Sequence, residues 1–241
     1  MIPLVLATAG IACLLVAALL LRSLGPGYRV GRLLAATPEA TIDEAISLAR
    51  GGTVAYVRVA GRITSDEEFP DDQDRPLVFR RTRVQVAGAG AWRTVVDERE
   101  AVPFGLESRS AYIAVDEADL AVGLVVIPRQ ADGVVADLPA DLAAAVPADV
   151  EPATKARLIV DQLSAVEHAT VCGVPVADGH AAILRSGAGR PLIATSLEPA
   201  AAMRVLAGQN RGRVVLAAGL LLLGLAALAT ALVAVLLGIQ G

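Results

Sequence analysis

What this chain lacks, at both ends, is charge. Ile2 to Leu21 contains no charged residue, and neither does Val214 to Ile239. All 21 Lys and Arg and all 25 Asp and Glu fall between Arg22 and Arg213. A helix of about 20 apolar residues crosses a bilayer core. Each central Leu favours insertion by up to roughly 0.6 kcal/mol, and ten Leu lie between Leu216 and Leu237. Two transmembrane helices, 2–21 and 214–239, are expected to bracket one soluble domain. The lipid bilayer is then the first partner.

Other scarcities exclude further classes. Cysteine occurs twice, as Cys13 in the first apolar run and Cys172 in the intervening stretch. No disulfide can form within the domain, which suits a reducing compartment. Lys155 is the only lysine, and the dominance of Arg is read as genomic base composition. The net charge of −4 gives no reason to expect nucleic acid. No GxSxG elbow, phosphate-binding Walker loop or HExxH helix occurs, and no cofactor is implied.

The few charges beside the apolar runs set an expected orientation. Arg22, Arg29 and Arg32 follow the first run, and Arg204, Arg211 and Arg213 precede the second. The outer tails, Met1 and Gln240-Gly241, carry no charged side chain. Positive charge near a span end stays cytoplasmic. The expectation is a two-span cell-membrane protein with its soluble domain in the cytoplasm. A cleaved signal peptide over 1–21 fits less well, since a basic n-region is missing and the apolar run is too long.

Between the spans, 22–50 reads as a juxtamembrane linker and helix. Thr37-Pro38-Glu39 is the expected helix start, with Ile42, Ala45, Ile46 and Ala49 on one face and Gly51-Gly52 as the stop. From there a period of two takes over. Strands are expected at Val54–Val59, Leu77–Val86, Ala91–Glu98, Tyr112–Val115 and Leu124–Ile127. Ser65 to Asp74 reads as an acidic loop. Ala131 to Pro152 reads as a Pro-broken connector with one short helical turn. Lys155–Val166 is a helix or a strand. Ala169–Val176, Ala181–Arg185 and Pro191–Ala194 are further short strands, and 199–213 is a juxtamembrane helix. The expected class is α+β: two transmembrane helices flanking a β-rich domain, 51–198. That domain is mainly an antiparallel β-barrel of OB-like type, or else an open α+β sandwich.

Candidate chemistry is sparse. His168, Cys172 and His180 are three residues of metal-ligating type, but zinc sites favour closely spaced sets with more cysteine, so no metal is expected. Cys172 with a histidine could serve as a thiol nucleophile only in an electropositive, partly exposed site. The carboxylates from Asp66 to Asp74 miss the calcium-loop pattern and read as a solvated loop. Gly88-Ala89-Gly90 and Gly187-Ala188-Gly189 lack the third glycine of a dinucleotide fingerprint and read as turns. In the second apolar run, Gly224, Ala227, Ala231, Ala234 and Gly238 form a face of small residues, as do Gly10, Cys13 and Ala17 in the first. Such faces let helices pack closely in lipid, on each other or on a second copy.

One motif stands apart. Val102-Pro103-Phe104-Gly105-Leu106-Glu107 reads as a strand-to-turn corner, with Val102, Pro103, Phe104 and Leu106 as candidate interaction residues. The run Val57-x-Val59-x-Gly61, Leu77-Val78-x-x-Arg81, Trp92, this corner and Ala114-Val115-Asp116 resembles the GIDE-type, or Beside a Membrane, domain family. Cys172-Gly173-Val174-Pro175-Val176 and Pro191-Leu192-Ile193-Ala194-Thr195-Ser196 resemble its second half. The likeness covers Gly51 to Ser196. It implies a domain held beside a membrane by two spans. Its eukaryotic member is a mitochondrial E3 ubiquitin ligase whose catalytic RING follows the second span. This sequence shows no zinc-ligand cluster of that kind. A non-catalytic interaction or scaffolding module is therefore expected, with other membrane proteins or a second copy as partners. The alternatives are ubiquitin-protein transferase activity or a thiol enzyme using Cys172.

Overall fold

The computed structural model describes residues 2–88, 90–109, 111–120, 123–179, 181–208 and 211–239. The chain runs α1 (Ile2–Ala36), α2 (Ile42–Arg50), β1 (Val57–Thr64), β2 (Phe69–Pro70), β3 (Pro76–Ala87) and β4 (Trp92–Ala101). Then follow β5 (Phe104–Glu107), β6 (Tyr112–Val115), β7 (Arg129–Val134), α3 (Ala140–Ala145) and β8 (Lys155–Ser164). The order closes with β9 (His168–Asp178), β10 (Ala181–Arg185), β11 (Ile193–Thr195), α4 (Pro199–Gly208) and α5 (Arg211–Ile239). Two compact units result: 1–33 with 203–241, and 34–202. The class is α+β with an apolar helix at each end.

In the helical unit, α1 and α5 each contain a stretch long and apolar enough to cross a membrane, Leu4–Arg22 and Val214–Val233. Most side chains there stay exposed within the protein, among them Leu4, Leu15, Leu19, Leu222 and Leu223. The buried positions are small: Gly10, Ala17, Ala217, Gly224 and Ala231. They recur every seven residues on each helix, the repeat that keeps one seam facing a partner. Helix α1 also runs on past the expected end at Leu21, through Gly25-Pro26-Gly27 to Ala36.

The other unit holds a closed barrel. Five strands pair in the circuit β1-β5-β6-β10-β9 and back to β1. Every pairing is antiparallel except β6 with β10. Alternation fills the inside: Val57, Val59 and Ile63 from β1, Phe104 and Leu106 from β5, Ile113 and Val115 from β6. Val171 and Leu184 face them, and α2 adds Ile42, Ala45 and Ala49. Burying side chains of this size contributes roughly 1.5–3 kcal/mol each, so this cluster is where the unit's cohesion lies. The short β11 adds to β9 outside the circuit, with Ile193 opposite Cys172.

A second, antiparallel sheet is made from two excursions of the chain. Strands β2 to β4 leave between β1 and β5, and β7 and β8 leave between β6 and β9. They assemble as β4-β3-β8-β7, with β2 beside the start of β3. One face is apolar, where Val84, Val86, Val96 and Ala156 meet Val135, Leu138 and Leu142. The opposite face carries cross-strand ion pairs, Arg81–Asp97, Arg83–Asp161 and Arg157–Asp132.

Several expectations need correction. The helix does not begin at Thr37-Pro38-Glu39. Thr41 caps it instead, its hydroxyl accepting from Glu44 N while the Glu44 carboxylate accepts from Thr41 N at 2.7 Å. That reciprocal box satisfies two orphan donors, and it frees Pro38–Ala40 to pair with Arg58 of β1. Leu124–Ile127 is not a strand; it makes one isolated bridge, Leu124 to Ala194. The connector over 131–152 begins inside a strand, β7, which pairs with β8 and leaves its side chains largely exposed. Lys155–Ser164 resolves as strand.

Candidate functional site

The Val102–Glu107 motif is split by its own alternation. Phe104 and Leu106 point into the barrel core and are 1% and 0% exposed. They have no surface to offer a partner. Val102 is half-buried against the same core, and Pro103 and Glu107 are exposed. Gly105 is buried between them. A Cβ there would lie 2.4 Å from the Tyr112 ring and 2.5 Å from the Ile113 carbonyl, so the absent side chain is what lets β6 lie against β5.

Pro103 opens onto a cleft of about 530 Å³ lined by Thr64, Ser65, Asp66, Glu67, Glu107 and Tyr112. Ser65 ties its floor together: the hydroxyl lies 2.5 Å from the Pro103 carbonyl and accepts from Glu67 N at 3.2 Å. The lining holds three carboxylates and no cationic side chain. Burial raises the Tyr112 phenol above its ordinary range, and the Asp66 charge adds to that. The cleft can accept hydrogen bonds or positive charge. The Ser65 hydroxyl is directed to the backbone carbonyls of Glu67 and Pro103 rather than to a carboxylate.

The remaining candidates are spread apart. Cys172 is fully buried, and burial pushes its thiol up to about 12, with Arg58 opposing. A thiol held neutral at physiological pH is a poor nucleophile. His168 lies on the same strand four residues away, which at about 3.3 Å per residue puts it about 13 Å distant. One ion cannot bridge them. His180 lies outside the described residues. Among the described residues no three His, Cys, Asp or Glu gather as a metal site. Gly187 and Arg190 exchange backbone hydrogen bonds across Ala188 (φ 51°) and Gly189 (φ 69°), a two-residue turn.

The acidic segment hides one functional anchor for the fold. Asp71 is buried and accepts from Gln73 N, Arg75 N and the Arg75 guanidinium, with Arg129 at 3.6 Å. Nothing in the run of acids distinguishes Asp71 from Asp72 or Asp74 by composition. In the helical unit, Gly224 and Ala231 are buried, Ala227 is half-buried and Gly238 is open. The side chain of Ala234 lies outside the described residues. Gly224 sits against Gly10 and Leu14.

No family model matches the chain, and no curated protein or solved structure matches it either.

Proposed function

We propose that the chain is a two-span membrane protein whose β-rich segment, 51–198, is a non-catalytic interaction or scaffolding module at the cytoplasmic face of the cell membrane. The observation that carries this reading is one compact β unit bracketed in sequence by two long apolar helices. Their small-residue seam and exposed Leu surface suit a helix pair surrounded by lipid. Orientation is supported by Arg22, Arg29, Arg32, Arg204, Arg211 and Arg213 on the inner flanks and by the bias of such charges toward the cytoplasm. The five-strand circuit with one parallel pairing supports an OB-like reading of the barrel. The motif order from Val57 to Ser196 supports kinship with the GIDE-type family.

A module rather than an enzyme is supported by the buried Cys172 and by a Val102–Glu107 motif whose large side chains serve the core. Attachment at both chain ends keeps the module's effective concentration high for partners in the same membrane and low for others. Other membrane proteins or a second copy are the partners this favours, through Pro103 and its cleft. Mild crosslinking in native membranes should recover a membrane-embedded partner or a dimer. Recovery of neither would remove the scaffold reading. Cysteine introduced at the exposed Ser108 should resist impermeant maleimide in intact cells, and rapid labelling would reverse the orientation.

A further inference from the structure

The chain has one tryptophan, and it is not in a core. Phe79 and Phe104 fill the interior, while Trp92 stands 40% exposed at the start of β4. The β3–β4 hairpin around it presents Ala87, Gly88, Gly90, Ala91 and Arg93 to solvent. From Val84 to Val96 there is no carboxylate and one cation, Arg93.

The ring is also held in place. The Arg157 guanidinium lies over it at 4.4 Å, and Arg157 Nε donates to Asp132 at 2.7 Å, pinning the cation above the indole. The exposed Lys155 begins β8 one residue before Ala156, which pairs with Val86, so its charge lies level with the hairpin tip. A rigid amphipathic ring, a tip of small residues and two cations, Lys155 and Arg157, form one surface, while Arg93, opposite Val86, lies on the other face of the hairpin. Asp132 offsets Arg157 in part, and the exposed Lys155 remains.

We propose that this tip contacts the anionic headgroup layer of the bilayer that holds the chain's own apolar helices. Indole rings partition to the membrane–water interface, and Lys and Arg are drawn to anionic lipid surfaces. Glycine and alanine at the tip let the ring reach past the backbone. The inference rests on the two-span reading above.

Because Trp92 is the one tryptophan, fluorescence of the full-length protein excited at wavelengths beyond tyrosine absorption reports this site alone. The protein is reconstituted into vesicles of phosphatidylcholine with phosphatidylglycerol, and brominated phosphatidylcholine is then included. Emission should shift to the blue and lose about half its intensity at an interfacial depth. In vesicles without phosphatidylglycerol, or in a Lys155→Glu variant, quenching should be weaker. Red-shifted emission untouched by bromine overturns the contact. Equal quenching with and without anionic lipid overturns the headgroup assignment. A blue shift that appears only when other membrane proteins are added overturns both in favour of a protein partner. Carbonate extraction of the protein from vesicles would sink the two-span reading itself, whereas a carbonate-resistant protein with unquenched Trp92 would sink this inference alone.

Discussion

Gly10 and Gly224 meet backbone to backbone. A Cβ on Gly10 would lie 3.0 Å from the Gly224 carbonyl oxygen, and a Cβ on Gly224 would lie 3.0 Å from the Gly10 carbonyl oxygen. The contact is reciprocal, with Leu228 packed on Gly10 and Leu14 on Gly224, each at 2.9 Å from the missing atom. Ala17 lies seven residues after Gly10 and Ala217 seven before Gly224, both 0% exposed. That is the order two antiparallel helices require.

Gly224→Val should therefore loosen the helix pair, while Gly238→Val should not, since nothing lies within 4 Å of a Cβ at Gly238. The neighbouring leucines can give way, but the carbonyl cannot. A cost of about 1–2 kcal/mol is expected at Gly224 and under about 0.5 kcal/mol at Gly238. Thermal unfolding in detergent micelles separates the two. Equal melting temperatures would show that the small-residue seam is incidental to an Ala-rich sequence.

Gly105→Ala tests the barrel in the same way. Its new methyl would strike the Tyr112 ring at 2.4 Å and, more seriously, the Ile113 carbonyl at 2.5 Å. A ring can rotate away, but a backbone oxygen paired across β5 and β6 cannot move without opening the ladder. A loss of about 2–3 kcal/mol is expected. A melt of the full chain followed by strand-sensitive circular dichroism would reveal it, and a variant as stable as the parent would mean the two strands are not so tightly placed.

How far the sequence discloses this depends on whether the signal is local. The apolar helices are legible from missing charge, and β3, β4, β6 and β10 from alternation. The α2 start is local too, but Thr37-Pro38-Glu39 and Thr41 with Glu44 both satisfy capping chemistry. Only pairing of Pro38–Ala40 with Arg58 decides between them. Sorting the strands into a barrel and a second sheet is non-local, because strands adjacent in sequence, such as β4 and β5, belong to different sheets. Strand β7 escapes notice because Ala131, Asp132 and Gly133 have weak strand preference; its pairing with β8 supplies the order. The corner is legible as a motif, but which of its residues face outward follows only from the register of β5 on β1 and β6.

Acid should expose the role of Asp71. The Arg75 guanidinium, helped by the backbone donors of Arg75 and Gln73, holds its carboxyl down to about 2 from an ordinary 3.8. A depressed folded-state value stabilises the fold above the unfolded-state value, and that stabilisation is lost as pH falls from about 4 to about 2. The wild-type melting temperature should fall across that window. Asp71→Asn should be less stable at pH 7 and flatter between pH 4 and 2. Parallel curves for the two proteins would show that other carboxylates govern acid unfolding.

Cys172 offers the sharpest separation between a structural and a catalytic reading. With its thiol pushed up to about 12, the thiolate fraction at pH 8 is about 10⁻⁴, against roughly one in four for an unperturbed thiol near 8.5. Full burial adds a steric barrier. In a Cys13→Ser background, native labelling by iodoacetamide should be at least about a thousandfold slower than labelling of the unfolded chain. A ubiquitin-activating and conjugating mixture should yield no modification that depends on Cys172. Cys172→Ala, which deletes one sulfur from a packed site, should lower stability by about 1–2 kcal/mol while leaving crosslinked partners unchanged. Fast native labelling, or transfer activity abolished by that substitution, would establish Cys172 as a reactive centre and end the case for a purely interacting module.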